Sequence, residues 1–443
     1  MSIGLSSHFT YKKLFFFCLS PIIMMVFTSI YGVVDGFFVS NFVGKLPFAA
    51  VNLVMPFIMI LGGVGFMIGT GGSALIAKTL GEGKQEQANC YFSMLIKLTV
   101  VLGIVLSLIG IVFIRPISYF LGATDAMIED CVIYGRVVLS FNTAFMLQNV
   151  FQTFLAAAEK PKLGLGITVT AGLVNMILDA LFIGVFQWGV AGAAIATGIG
   201  QCVGGILPFL YFIRENSSRL QFVKAEMDGR ALGKACVNGS SELMSNISAS
   251  LISVIYNWQL LKFAGENGVA AYGTIMYIQF IFIAIFIGYT IGTAPIISYH
   301  YGAGNENELK NLLKKSLIVA GMAGILMMAV AWILAVPLSK VFVGYDRELF
   351  QMTKHAFRMF SFSFILAGVN IFASSFFTAL NNGGVSAAIS FMRTLLFQII
   401  SVLVLPVFLG LDGIWFSITV AEILAFGVSF IFLTVNRKRY HYG

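Results

Sequence analysis

The sequence predicts an all-α polytopic membrane protein of twelve transmembrane helices, arranged as two six-helix lobes in parallel repeat. Three observations carry that prediction. The 443 residues are 58% hydrophobic and only 10% charged, with a mean hydropathy of +0.92, more apolar surface than a water-soluble domain of this size can bury. The apolar residues gather in twelve runs suited to the roughly 20-residue helix that spans a bilayer, not to the alternating ten-residue strands of a barrel. The second half also repeats the first at a constant offset of 221 residues without a gap. Pro116 falls on Pro337, Asp125 on Asp346, Asn149 on Asn370 and Gly192 on Gly413.

In chain order, the first span covers roughly 12–40, with Pro21 inside it and Asp35 near its far end. The second, 48–78, contains Pro56 and ends at the turn Gly81-Glu82-Gly83. Spans three (90–114) and four (130–156) flank a loop that starts at Arg115. Span five (164–186) carries Asn175 and Asp179, and span six (189–213) carries Thr197. The longest polar connection, about Arg214 to Gly233, follows and reads as a linker. Span seven (234–262) holds Glu242; span eight (269–299) holds Pro295 and leads into Gly302-Ala303-Gly304, the repeat of the earlier turn. Spans nine (312–336), ten (354–380, with Asn370), eleven (385–409, with Arg393) and twelve (412–436, with Glu422) complete the second half. Pro21, Pro56 and Pro295 are candidate kink sites in spans that exceed 25 residues.

This divides the chain into an N-terminal lobe (1–213), a linker (214–233) and a C-terminal lobe (234–443). Positions 49–83 against 270–304 give 8 identities in 35, among them Ala49/Ala270, Met55/Met276, Gly71/Gly292 and Ile76/Ile297. Turn glycines align with turn glycines. Because each half has an even number of spans, both enter the membrane from the same side, related by an axis along the membrane normal. The glycine turns lack the GxxxxGK[ST] spacing of a phosphate loop and read as helix C′ positions.

The net charge of +8 is explained by topology. With the N-terminus inside, cytoplasmic segments hold seventeen Lys and Arg, whereas the outer loops hold five: Lys45, Arg115, Lys262, Lys340 and Arg347. This positive-inside bias places both termini in the cytoplasm of a cell whose plasma membrane the chain spans. No nucleic-acid partner is expected; the partner is the lipid bilayer, and the protein is expected to be a monomer. The first apolar run continues directly into Asp35, so no cleaved signal peptide is expected. Cys18, Cys90, Cys131, Cys202 and Cys236 are odd in number, lie in or beside spans, and read as small buried residues. Walker A, GxSxG and HExxH motifs do not occur, and neither a cofactor nor an enzymatic activity is expected.

Acids at bilayer depth cost about 2.5–3.5 kcal/mol to insert and so invite a functional reading. Asp35 lies about five residues from the outer end of span one, Asp179 about seven from that of span five, and Thr197 about eight into span six. At about 1.5 Å per residue the three share a level roughly 7–12 Å below the outer boundary. Asn175 is one turn deeper than Asp179 on the same face. Their hard oxygens suit a small cation, Na⁺ among them, or a proton on either acid. Under the 221-residue shift Asp35 falls on Tyr256, Asn175 on Leu396 and Asp179 on Ile400, so this group exists in one half only. In the second half Glu242, Arg393 and Glu422 are cargo-contacting or ion-pairing candidates. Glu242 and Arg393 stand at equal depth, about eight residues from the cytoplasmic boundary, and are the expected pair. Asn149 and Asn370 are expected to make a shared helix–helix hydrogen bond. His300 and His355 have no evident partners.

These residues resemble those of the multidrug and toxic compound extrusion (MATE) transporter family over nearly the whole chain. The carriers are Tyr31-Gly-Val-Val-Asp35-Gly-Phe-Phe-Val-Ser40, Gly69-Thr-Gly-Gly-Ser-Ala-Leu-Ile-Ala77 leading to Gly81-Glu82-Gly83, Asn175-Met-Ile-Leu-Asp179, and Pro295-Ile-Ile-Ser298-Tyr299 with Gly302-Ala303-Gly304. The resemblance implies two lobes in a V around a central cavity and export of amphipathic organic cations in exchange for inward H⁺ or Na⁺. It maps the family's N-lobe cation site onto Asp35, Asn175, Asp179 and Thr197. In some members a C-lobe acid couples the ion, and Glu242, in Asn238-Gly-Ser-Ser-Glu242, occupies roughly that region.

The expected function is therefore secondary antiport of cationic or amphipathic compounds. A lipid-linked oligosaccharide flippase of the same superfamily would call for several cavity arginines, and Arg393 stands alone. A membrane enzyme would need a convergent nucleophile, base or metal cluster. A pore would need a charged ring or filter repeat.

Overall fold

The structure, a computed structural model, describes residues 3–344 and 346–442; the side chain of Lys45 is outside that description. Twelve helical spans follow one another and no strand occurs among the described residues. They are α1 Tyr11–Val43, α2 Leu46–Gly81, α3 Gln85–Phe120, α4 Ile128–Ser140 continued by Asn142–Ala157, α5 Pro161–Val185 and α6 Gly189–Ile213. The second set begins with one continuous helical stretch, Gly229–Gly302, broken at Gly265 (φ 60°, ψ −150°). Residues 229–264 are α7 and 266–302 are α8. Then come α9 Glu306–Val343, α10 Arg347–Ser361 continued by Phe364–Ala379, α11 Gly383–Leu409 and α12 Leu411–Val435.

Local chemistry sets the boundaries. Thr10 caps α1 by accepting from Lys13 N–H, Asp228 caps α7 through Arg230 and Ala231 N–H, and Asn305 caps α9 through Glu308 N–H. The repeat-related Gly83 (φ 78°) and Gly304 (φ 65°) take the left-handed conformation after α2 and α8, as their C′ reading requires. The sharp bends lie elsewhere than at the expected prolines. α4 bends by 53° around Phe141 and α10 by 47° around Phe362 and Ser363, while Pro21, Pro56 and Pro295 sit inside helices that run through them. A π-helical turn follows Asp179 in α5 (Ala180–Val185) and another contains Arg393 in α11 (Met392–Leu396). Such turns are frequent at functional positions because they re-aim side chains.

The packing is mixed at one face and separated at the other. Toward the face bearing the termini, buried clusters combine both halves: α2, α3 and α4 with the start of α7, and the N-terminal segment and α1 with α8, α9 and α10. Toward the opposite face one cluster holds only α1–α6 residues and another only α7–α12 residues. The seam in the mixed half is backbone-tight and follows the repeat. On α2, a Cβ at Gly71 would overlap Ala235 of α7; on α8, a Cβ at the equivalent Gly292 would overlap Cys18 of α1. Ala235 and Gly239 on α7 face Gly71, and Cys18 is the repeat equivalent of Gly239. The lobes therefore touch at the termini-bearing face and part toward the other.

Candidate functional site

Asp35 and Asp179 are brought together from α1 and α5 and are buried, at 8% and 0% exposure. Their carboxyl groups lie within hydrogen-bonding reach of each other. Thr197 Oγ1 of α6 donates to Asp35 Oδ1 at 3.4 Å. Among the described residues neither oxygen of Asp179 has a donor, and the buried Oδ1 of Asn175 is also without a partner. Three of the four N-lobe candidates thus form one cluster. Asn175 stands one turn along α5, its side chain unbonded to the other three among the described residues. Gly200 of α6 presses against the Asn175 Cβ side, where a methyl would come to 3.0 Å.

Two touching carboxyls out of water cannot both stay ionised without a counter-charge. They can share a proton or close around a small hard cation, and the unpartnered oxygens of Asp179 and Asn175 fit that second role. Among the described residues no cluster of three or more His, Cys, Asp or Glu suggests a transition-metal site.

Sequence reasoning missed Tyr134. This fully buried residue of the first segment of α4 carries a hydroxyl with no partner among the described residues and lies in the neighbourhood of Asp35 and Asp179. It stands six residues inside the start of α4, so extending the depth comparison from acids to phenols would have found it.

The C-lobe pairing differs from expectation. Arg393 does not pair with Glu242. It grips Glu422 of the neighbouring α12, through Nε at 2.9 and 3.1 Å and Nη2 at 2.9 Å. Asn370 Nδ2 adds 2.7 Å to Glu422 Oε2 and 2.9 Å to its backbone carbonyl. Depth was matched between Glu242 and Arg393, but α12 brings Glu422 directly against Arg393, whereas α7, although it packs on α11 at Gly383 and Val402, leaves a cavity at the level of Glu242 and Arg393. That cavity, about 340 Å³, is lined by Glu242, Tyr256, Tyr272, Met276, Phe280 and Arg393 among others. The Tyr256 and Tyr272 rings stack at 5.0 Å. Glu242, with no ion pair among the described residues, also borders a 30 Å³ void between the lobes together with Thr70, Thr153, Thr290 and Thr378.

The expected asparagine symmetry holds in kind and breaks in detail. Asn149 Nδ2 donates to Gly62 O of α2, but Asn370 turns to α12 instead of the equivalent α8. His355 has a partner after all, Asp412 at 2.9 Å on the face opposite the termini. His300 is buried near the end of α8.

Two repeated helical lobes that join at one face and part toward the other, with the buried acids Asp35 and Asp179 in the first lobe and a cavity bearing Glu242 in the second, fit a polytopic membrane transporter, the class to which the relatives below belong. The MatE family model matches twice, over residues 21–181 and 243–404, in step with the internal repeat. The chain belongs to the MatE family. It is 23% identical over 433 residues to the multidrug export protein MepA of Staphylococcus aureus strain MSSA476, covering 97% of this chain and 94% of that protein. MepA of Staphylococcus haemolyticus gives the same identity and coverage. Among solved structures, a MATE in complex with MaL6 superposes with a TM-score of 0.93 at 22% identity, covering 98% of both chains. An outward-facing multidrug resistance MATE family transporter gives 0.92 at 22% identity, also over 98% of both. These structural likenesses establish the twelve-helix, two-lobe fold.

Proposed function

We propose that this protein is a secondary active antiporter that exports cationic or amphipathic organic compounds in exchange for inward H⁺ or Na⁺. It would work in the plasma membrane with both termini cytoplasmic. The observation that carries the reading is the contact of two buried carboxyls, Asp35 and Asp179, beside Thr197. An ion or proton arriving there cancels a repulsion between α1 and α5 and thereby changes their packing. Because α1 also belongs to the seam with α8 through Cys18 and Gly292, a shift of α1 reaches the contact between the lobes. Relatives bearing the name multidrug export protein support the cargo class. Glu242, the stacked tyrosines and the methionine of the C-lobe cavity supply a carboxylate and apolar planes for a flat cation.

The test is efflux of a cationic dye from proteoliposomes, first under an imposed pH gradient and then under an imposed Na⁺ gradient. Asp35→Asn is expected to keep the fold and lose gradient-driven efflux. Wild-type efflux by that variant at equal reconstitution would sink the assignment.

The flippase alternative gains nothing from the geometry, since the cavity's one arginine is already neutralised by Glu422.

A further inference from the structure

A segment ahead of the first span crosses the seam. Residues 3–10, ahead of α1, run along the termini-bearing face from one lobe to the other. Leu5 N–H donates at 2.7 Å to Oε1 of Glu159, a residue just past the end of α4 held in the left-handed conformation at φ 61°. Four residues further, Glu308 at the start of α9 accepts from Phe9 N–H at 2.9 Å and bonds His8 Nδ1 at 2.6 Å. Phe9 O accepts from Lys315 Nζ at 2.7 Å and Asn311 Nδ2 at 3.1 Å. The Leu5 and Phe9 side chains are wholly buried, Phe9 standing edge-on to Phe17 and His300. Glu159 also pairs at 3.2 Å with Arg219 of the linker, whose guanidinium lies 5.8 Å over the ring of Tyr299 on α8.

One carboxylate on each lobe therefore grips the same short segment. We propose that residues 3–10 form a strap, anchored by Glu159 and Glu308, that holds the termini-bearing face closed. This rests on the antiport proposed above, taken to proceed by opening the two faces in turn. The chain between the two anchoring amides, Leu5 to Phe9, reaches at most about 14 Å when fully extended. A turn closed by Ser7 N–H to Gly4 O at 3.2 Å takes up part of that length. Separation of the lobes at this face must first unwind the turn and then free one anchor. Freeing Glu308 strips a nearly buried carboxylate of charge-assisted hydrogen bonds, the strongest kind available. The strap thus weights the two-state equilibrium toward the form open at the opposite face.

The experiment places spin labels at Gln87→Cys on α3 and Lys314→Cys on α9, both exposed and on opposite lobes. The background has the five native cysteines replaced, and pulsed dipolar distances are read in nanodiscs at one fixed pH. Three variants are compared with the parent: deletion of residues 3–9, Glu308→Ala and Glu159→Ala. The strap reading expects a longer-distance population that rises by about tenfold relative to the parent, smaller in Glu308→Gln, which keeps an acceptor for Phe9 N–H. Should the deletion fail to fold, the point variants carry the test. Distance distributions identical to the parent in every folded variant overturn the proposal. Distances need neither cargo nor gradient, so a protein that exports nothing still tests the strap.

Discussion

Gly81 and Gly302, one repeat length apart, meet at the termini-bearing face, each pressed against the other's helix. A Cβ on Gly81 would overlap Tyr299 O, and a Cβ on Gly302 would overlap Lys78 O. The pair marks where the repeat axis passes through the protein. It also shows that closure here is backbone on backbone, with no room for a side chain to adjust.

Gly302→Val should therefore prevent closure of this face. Overpacking of this kind costs about 1–3 kcal/mol, and the lobes can avoid it by parting. The expected result is a shift of Gln87–Lys314 label distances to longer values and loss of dye efflux. Parent-like distances in the valine variant contradict a backbone-tight seam.

Asp179→Asn should stabilise the protein while removing transport. Asp179 is fully buried with no donor to either oxygen among the described residues, and an amide in its place can donate to Asp35. Thermal unfolding in detergent should show a gain of about 1–2 kcal/mol. A lower melting temperature than the parent would mean that Asp179 already has a compensating partner.

Arg393→Met alone should destabilise by about 3–5 kcal/mol, because it strands the Glu422 carboxylate at 2% exposure. The double substitution Arg393→Met with Glu422→Met should recover most of that loss. A double-mutant cycle by denaturant unfolding measures the coupling; additive effects refute the pairing.

Tyr134→Phe removes a buried hydroxyl that bonds nothing among the described residues, so stability should hold or rise by up to about 1 kcal/mol. If the phenol helps hold the coupling ion, the ion concentration for half-maximal efflux should rise severalfold. An unchanged dependence assigns Tyr134 to packing alone.

The number and order of spans were legible because hydropathy and length are properties of each segment by itself. The turn glycines were legible for the same reason: Gly83 and Gly304 need only their own backbone to declare a helix end. The cluster of Asp35, Asp179 and Thr197 emerged from counting residues to the nearest loop, which fixes height along the membrane. Height does not fix neighbours. Arg393 had two acids within reach of its level, and only the side-by-side packing of α11 and α12 selected Glu422 over Glu242. The bends near Phe141 and Phe362 were not legible either, since neither contains the proline or glycine that announces a break, and tertiary packing must impose them.

The height of Asp35 and Asp179 has an electrical corollary. Under the coupling proposed above, an ion reaching them from the face opposite the termini crosses roughly a quarter to two-fifths of the ~30 Å insulating layer, and so the smaller share of the voltage drop. Binding from that side should respond to membrane potential only in that fraction. The larger share would fall on the proposed step in which the lobes exchange faces with the charge aboard, and it is there that the cell's voltage would do most work on the cycle.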